Sequence, residues 1–421
     1  MHKILILAAA LLLSAFTSFA QTSREEVCAN LNKAGGVYLA YPEPVGRPTS
    51  APKGYHPFYI SHYGRHGSRY LIADRDYRWV WETLAQADSA HALTPLGQDV
   101  LKRLARLWPL VRGHGGDLSS VGVRQHQGIA QRMVRDFPEV FRGGRRVSAR
   151  STIVMRCAMS MVAFGDRIKG LVPGIDISYE ASEKYMSYMN FHTDSSNVFT
   201  DGTTGPWVTA YRQFESRLVQ PDRFIKSLFA SDEYVRHYVD SGSLMWGFYW
   251  IAVDMQDIDT DISFYDIFTP EELFSLWQCV NYRFYVGNAN HKDGNGIVMA
   301  NAKPLLRNII ECADTAIADG HVAATLRFGH DGNIIPLLAL MQVEHYDVAV
   351  SNPADVYKVW CDFKAAPMAA NLQLVFYRNA QGNVIVRLRH NEQDVHIPVK
   401  TSRFPFYEWK DVRSFFEGRV K

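Results

Sequence analysis

Apolar positions along this chain change period several times, and each change marks a different element. Phe58 to His62 is a short apolar run that breaks at Gly64, the pattern of a buried strand entering a loop. Helical spacing follows over roughly 73–88, 95–108 and 120–136, the third with Val123, Ile129, Ala130, Met133, Val134 and Phe137 in register. Arg146 to Ala149 fits a second short strand, with a helix predicted over 151–169. From about 181 to 295 the chain turns aromatic and helical, around residues such as Trp207, Trp246, Trp250 and Trp277. Strand character returns at Val322–Phe328, followed by a turn and an apolar helix over 332–343. Leu372–Tyr377, a turn at Gln381-Gly382-Asn383, and Val384–Leu388 read as a β-hairpin, and a last helix is predicted over 407–418.

Strands alternating with helices predict an α/β sheet covered by helices on both faces. That core is expected to comprise 21–180 and 296–421, with 181–295 an inserted all-helical cap. Tyr41–His56, rich in proline and glycine, reads as an extended lead-in.

The first residues fit none of these elements. Lys3 gives a positive start, Ile4–Phe16 is almost wholly apolar, and small residues precede Gln21. This order predicts a secretory signal peptide over 1–20, cleaved near Ala20, and a secreted or periplasmic protein. The run is shorter than the roughly 20 residues a membrane span needs, so no stable insertion is expected after cleavage. Glu25-Glu26-Val27 before Cys28 does not suit lipid attachment.

Charge narrows the choice further. A net charge of +2 without a basic run argues against nucleic acid as a partner. An anion must therefore be recognised by a few concentrated arginines. Five cysteines in an exported chain permit at most two disulfides and leave at least one thiol free, and the absence of Cys-x-x-Cys suggests neither zinc nor a redox motif.

Three segments carry candidate chemistry. Tyr63-Gly64-Arg65-His66-Gly67-Ser68-Arg69 lies just past a predicted strand, at the end where α/β sheets hold ligands. Its arginines can each bind two phosphate oxygens through a planar fork. Arg156 stands in an otherwise apolar helix, where a buried guanidinium requires a carboxylate or a bound anion. Phe328-Gly329-His330-Asp331-Gly332-Asn333 again joins a buried strand to a helix, so His330 and Asp331 can reach one site.

Together these segments resemble the histidine acid phosphatase and phytase family, branch 2 of the histidine phosphatase superfamily. Arg65-His66-Gly67-x-Arg69 and the late His330-Asp331 match its two hallmarks, and Ser151-Thr152-x-x-x-Arg156 matches its middle arginine. Leu93-Thr94-Pro95-Leu96-Gly97 looks like one of its helices. Leu118-x-x-x-Gly122-x-x-x-His126-x-Gly128-Ile129-Ala130-x-Arg132-Met133 is most similar to the multiple inositol polyphosphate phosphatase branch. The resemblance runs from about Phe58 to Leu340.

It implies a phosphoglycerate-mutase-like sheet and an exported phosphomonoesterase, with inositol polyphosphates including phytate among its candidate substrates. It further implies His66 as nucleophile, Arg65, Arg69, Arg156 and His330 as phosphate ligands, and Asp331 as proton donor, with no metal or cofactor. Two positions depart from the pattern. The inositol polyphosphate branch carries His-Ala-Glu where this chain has His330-Asp331, and Tyr70-Leu71 stands where phytases often place a proline. Alternatives are a phosphomutase of the same superfamily and a non-catalytic phosphate-ester-binding protein.

Neighbouring arginines should lower the pKa of His66, because like charge disfavours its protonated form. Arg142, Arg145, Arg146 and Lys303 are candidates for outer phosphates of a polyphosphorylated substrate, with solvated charge the competing reading. Asp254, Asp257, Asp259, Asp261 and Asp266 do not fit a calcium loop, which would need glycine where Ile262 stands.

Overall fold

The computed structural model describes residues 23–44 and 46–421, so the predicted signal segment lies outside the described residues. The strands are β1 (His56–Arg65), β2 (Arg146–Ser151), β3 (Asp176–Ala181), β4 (Val322–Gly329), β5 (Asn371–Arg378), β6 (Val384–His390), β7 (Gln393–Asp394) and β8 (Phe406–Glu408). They form one sheet in the order β3-β2-β4-β1-β5-β6-β7, with β8 paired to β6. The first four in that order are parallel, while β5 and β6 run antiparallel to their neighbours.

Alternation along the central strands sends side chains into two cores. Ile60, Leu326, Phe328 and Val375 pack on one face with Ile129, Met133 and Phe164. Those last three come from α3 (Ser120–Asp136) and α4 (Met155–Leu171) in a series that begins with α1 (Asp74–Ser89) and α2 (Pro95–Val111). Tyr59, Tyr63, Leu372, Leu374 and Phe376 point to the other face. There they join residues of α5 (Ser241–Asp254), α6 (Pro270–Asn288), α7 (Lys303–Asp319), α8 (Asp331–Leu340) and α9 (Trp409–Val420). The sheet is thus flanked by helices, as the alternation of elements predicted.

Helix starts follow local chemistry. Thr94 caps α2 by accepting from Gly97 N at 3.0 Å, with Pro95 in the first turn. Ser119 caps α3 through Gly122 N at 3.2 Å. Thr269 and Glu272 form a reciprocal capping box on α6.

Two differences from the sequence reading matter. β3 was not predicted, because only Ile177 of its six residues is buried and an edge strand of this kind has no apolar signature. Ser151 belongs to β2, so α4 begins at Met155 rather than 151. Arg156 therefore sits in the first helical turn, half-buried at a cleft, and not deep in an apolar helix. All five cysteines are free, which falls within the expectation of at most two disulfides, with Cys28 and Cys312 half-buried and the others buried.

Candidate active site

Parallel strands β2, β4 and β1 lie side by side and end together. Arg65 is the last residue of β1 and pairs in register with Gly329, the last residue of β4. The loop His66–Arg69 leaves β1 there, His330 and Asp331 leave β4, and Arg156 follows β2 on the first turn of α4. All six predicted site residues meet at one end of the sheet.

Close backbone approach seats the loop. A Cβ on Gly67 would lie 2.6 Å from Gly122 Cα, and one on Gly122 would lie 2.3 Å from the Ser68 carbonyl. Only two glycines let the loop rest on the start of α3. Gly67 N also donates to Ser160 Oγ at 3.1 Å, and Ser68 N to Gln125 Oε1 at 2.8 Å. Behind the loop, the Ser68 hydroxyl bonds to the buried carboxylate of Asp257.

His66 is buried, and its ring centroid lies 5.8 Å from that of His330. His66 Nδ1 lies 2.9 Å from the Gly67 carbonyl. A carbonyl only accepts, so the proton sits on Nδ1 and Nε2 keeps its lone pair. Burial holds the His66 pKa well below the ordinary value of 6.5, and the charges of Arg65, Arg69 and Arg156 lower it further. The arginine effect was predicted from sequence; the larger part, burial, was not.

Each arginine is held differently. Arg65 donates to the carbonyls of Val37 and Ala366, the latter at 2.7 Å, and its Nη2 lies 2.8 Å from Asp331 Oδ2. Arg69 donates to Tyr70 O and to Tyr38 Oη, both at 2.8 Å, with its guanidinium over the Tyr38 ring. Arg156 Nε is buried and has no hydrogen-bond partner among the described residues. In all three, the buried Nε has no acceptor within the described residues. Such donors are costly to leave unpaired, and an oxyanion would satisfy them.

His330 Nε2 lies 3.2 Å from Thr152 Oγ1, and its backbone N donates to Tyr63 Oη at 3.1 Å. Burial lowers its pKa to about 4, with Arg156 and Arg65 adding to the shift and Asp331 opposing it. For Asp331, burial would raise the pKa, yet Arg65, His330 and the Gly332 N–H hold it below the usual carboxylate value. Cys157 lies beside the site, but burial pushes its thiol up to about 11, which leaves no thiolate to compete as nucleophile.

A family model of the histidine phosphatase superfamily (branch 2) matches residues 65–391. The chain belongs to this superfamily. Membership places it among the phosphomonoester hydrolases. No curated protein matches the sequence. Among solved structures, the chain is similar to the Bifidobacterium longum multiple inositol polyphosphate phosphatase in complex with inositol hexasulfate. The TM-score is 0.77 at 17% identity, covering 91% of this chain and 97% of that one. It is also similar to the phytase from D. castellii, with TM-score 0.65, 14% identity, and 93% and 85% of the two chains covered. The Hafnia alvei phytase gives 0.53, 14%, 88% and 98%. At these identities the likeness establishes a shared fold.

The outer-phosphate candidates do not join the histidine phosphatase site. Arg145 donates to Phe58 O and Val140 O, near the start of β1, while Arg146 opens β2. Both lie at the opposite end of the sheet. Arg142 is exposed in the turn before β2, and Lys303 bonds to Lys421 O at 2.6 Å. The acidic stretch is also accounted for. Asp259, Asp261 and Asp266 pair with Arg124, Arg106 and Arg103, and Asp254 accepts from Tyr77 Oη at 2.5 Å. Residues to which sequence reasoning assigned no part in the site are Tyr38, Thr152, Ser160, Gln125 and Asp257. Tyr38 and Asp257 carry no local signal, since each reaches the loop from a distant segment.

Proposed function

We propose that the protein hydrolyses phosphomonoesters through a phosphohistidine on His66 Nε2. The observation that carries this reading is the gathering of three guanidiniums, each with an unsatisfied Nε, around one buried neutral imidazole. Arg65, Arg69, Arg156 and His330 hold the non-bridging oxygens, where positioning and charge neutralisation supply most of the catalysis.

Nε2 attacks phosphorus and the P–O ester bond breaks, with Asp331 giving its proton to the departing alkoxide. Water then attacks the phosphohistidine and gives a proton to the Asp331 carboxylate; the P–N bond breaks and inorganic phosphate leaves. Covalent catalysis thus divides one displacement into two.

Asp331 is paired with Arg65 in the free protein, an unfavourable state for an acid. A bound phosphoryl group changes that balance. Its oxygens compete for Arg65, and their negative charge raises the carboxyl pKa. Protonation of Asp331 is thereby linked to substrate binding.

The order of residues 1–20 supports export, and 181–295 is the proposed cap over the site. Inositol phosphates are a candidate class on the strength of the similar structures. The test is release of inorganic phosphate from 4-nitrophenyl phosphate, without added metal, by wild type and His66→Ala. Equal rates for the two proteins would refute the reading.

A further inference from the structure

Two cavities of about 380 Å³ each share Tyr38 and Trp250 in their walls. Tyr38 is the residue that accepts from Arg69 Nη2, so the shared wall begins one side chain from the phosphate. The first cavity is lined by Trp207, Phe284, Arg283 and Asn288. It lies on the leaving-group side, because a Cβ on Gly332 would stand 3.3 Å from Asn288 Oδ1, next to Asp331. The second runs along Leu71 and Ile72 past Trp79, Trp246 and Asp76.

The aromatic walls form a continuous series. Trp250 has its ring 5.3 Å from that of Tyr38 and is stacked with Trp246 at 6.2 Å. Ile72 is 53% exposed and Trp79 36%, large apolar surfaces left open to solvent on the wall of the second cavity. Polar groups on the rim are few: Thr200, Asn288, Ser243, Asp76 and Arg283. The formal charge of the two linings is one arginine against one aspartate.

That wall suits a neutral ring better than a polyanion. A hexakisphosphate engaging one phosphate brings five more, each carrying about −1.5 to −2 near neutral pH. Against these the two cavities supply one cation, Arg283, offset by Asp76, and the basic residues suspected from sequence lie elsewhere. A pyranose monophosphate fits both features, its C–H face on an indole and its hydroxyls on Asn288, Ser243 or Asp76.

We propose that the cavities flanking Tyr38 and Trp250 bind the leaving group as a neutral polyhydroxylated ring, selecting sugar monophosphates over densely phosphorylated esters. This rests on the phosphatase reading above and names its substrate class. The test compares kcat/KM for glucose 6-phosphate, ringless glycerol 2-phosphate and myo-inositol hexakisphosphate. Wild type is expected to favour glucose 6-phosphate over the hexakisphosphate at least tenfold.

In Trp250→Ala the ratio of glucose 6-phosphate to glycerol 2-phosphate should fall about tenfold. Gly202→Lys places a cation on the first cavity, where an added Cβ meets nothing within 4 Å. It should raise hexakisphosphate turnover severalfold without raising that on glucose 6-phosphate. A wild type that prefers the hexakisphosphate, or an unmoved ratio in Trp250→Ala, overturns the inference while leaving the phosphatase reading intact. No phosphate release from any ester, 4-nitrophenyl phosphate included, overturns both.

Discussion

Arg65 Nη2 stands 2.8 Å from Asp331 Oδ2, so the residue before the nucleophile restrains the proposed proton donor. The pair joins the ends of β1 and β4 and couples acid strength to occupancy of the site. Asp331→Asn keeps the shape and removes the proton. Its cost should depend on the leaving group: about 100-fold or more in kcat/KM for alkyl phosphates, and under about tenfold for 4-nitrophenyl phosphate, which departs without help. Steady-state rates on both esters decide the matter. Equal losses would mean that the carboxyl positions Arg65 and donates no proton.

The electrostatics of His66 set the pH range. Its pKa lies well below 6.5, so the imidazole stays neutral as pH falls through the range where an exposed histidine protonates. Activity should therefore persist on the acidic side of neutrality, with no loss of kcat/KM centred near pH 6.5. Arg156→Gln removes one of the like charges. The acid limb of its pH profile should move upward toward 6.5, separately from the drop in rate that loss of a phosphate ligand causes. A wild-type optimum above pH 8 would contradict the assignment.

Gly122→Ala tests the seating of the loop. The new methyl would meet the Ser68 carbonyl at 2.3 Å, and the backbone on both sides must shift. Displacement of the nucleophile by a fraction of an ångström is expected to lower kcat more than 10-fold, since catalysis of this kind depends on placement. Thermal unfolding and activity measured on the same sample separate the two effects. A control at Gly418, where an added Cβ meets nothing, should be nearly neutral.

Most of the site was legible because its residues cluster in three short stretches at strand ends. Arg65, His66 and Arg69 share one loop, and His330 and Asp331 share another. Arg156 was located, but its burial was misjudged because the apolar residues around it do not face the core. Ile153, Met155 and Met159 are 48%, 68% and 46% exposed. Composition cannot reveal that an apolar run faces a cleft. Tyr38 and Asp257 reach the loop across 31 and 189 positions of chain, so only the folded arrangement discloses them. The helices with clear periodicity were found to within a few residues. The polar edge strand β3 was not, because hydrogen bonding to β2 rather than burial makes it a strand.

A second pair of histidines links the core to acid stability. His62 and His126 lie beneath the site among Phe164 and Phe328, both fully buried. Burial lowers each pKa from 6.5 to about 3. Between those values the unfolded chain binds a proton at each ring and the folded one does not. Stability from these groups is therefore fully present above about pH 6.5 and is lost as pH falls toward 3. Buried Asp254 and Asp362 act in the opposite sense. Burial raises their pKa to about 7, so their stability is present below the ordinary carboxylate value and is lost as pH rises toward 7. One group can be separated from the rest by substitution. In His62→Leu one proton uptake disappears, so the stability lost between pH 6.5 and 4.5 should be smaller than in wild type. Urea unfolding at the two pH values measures this directly. An unchanged difference would show that His62 is already protonated in the native state.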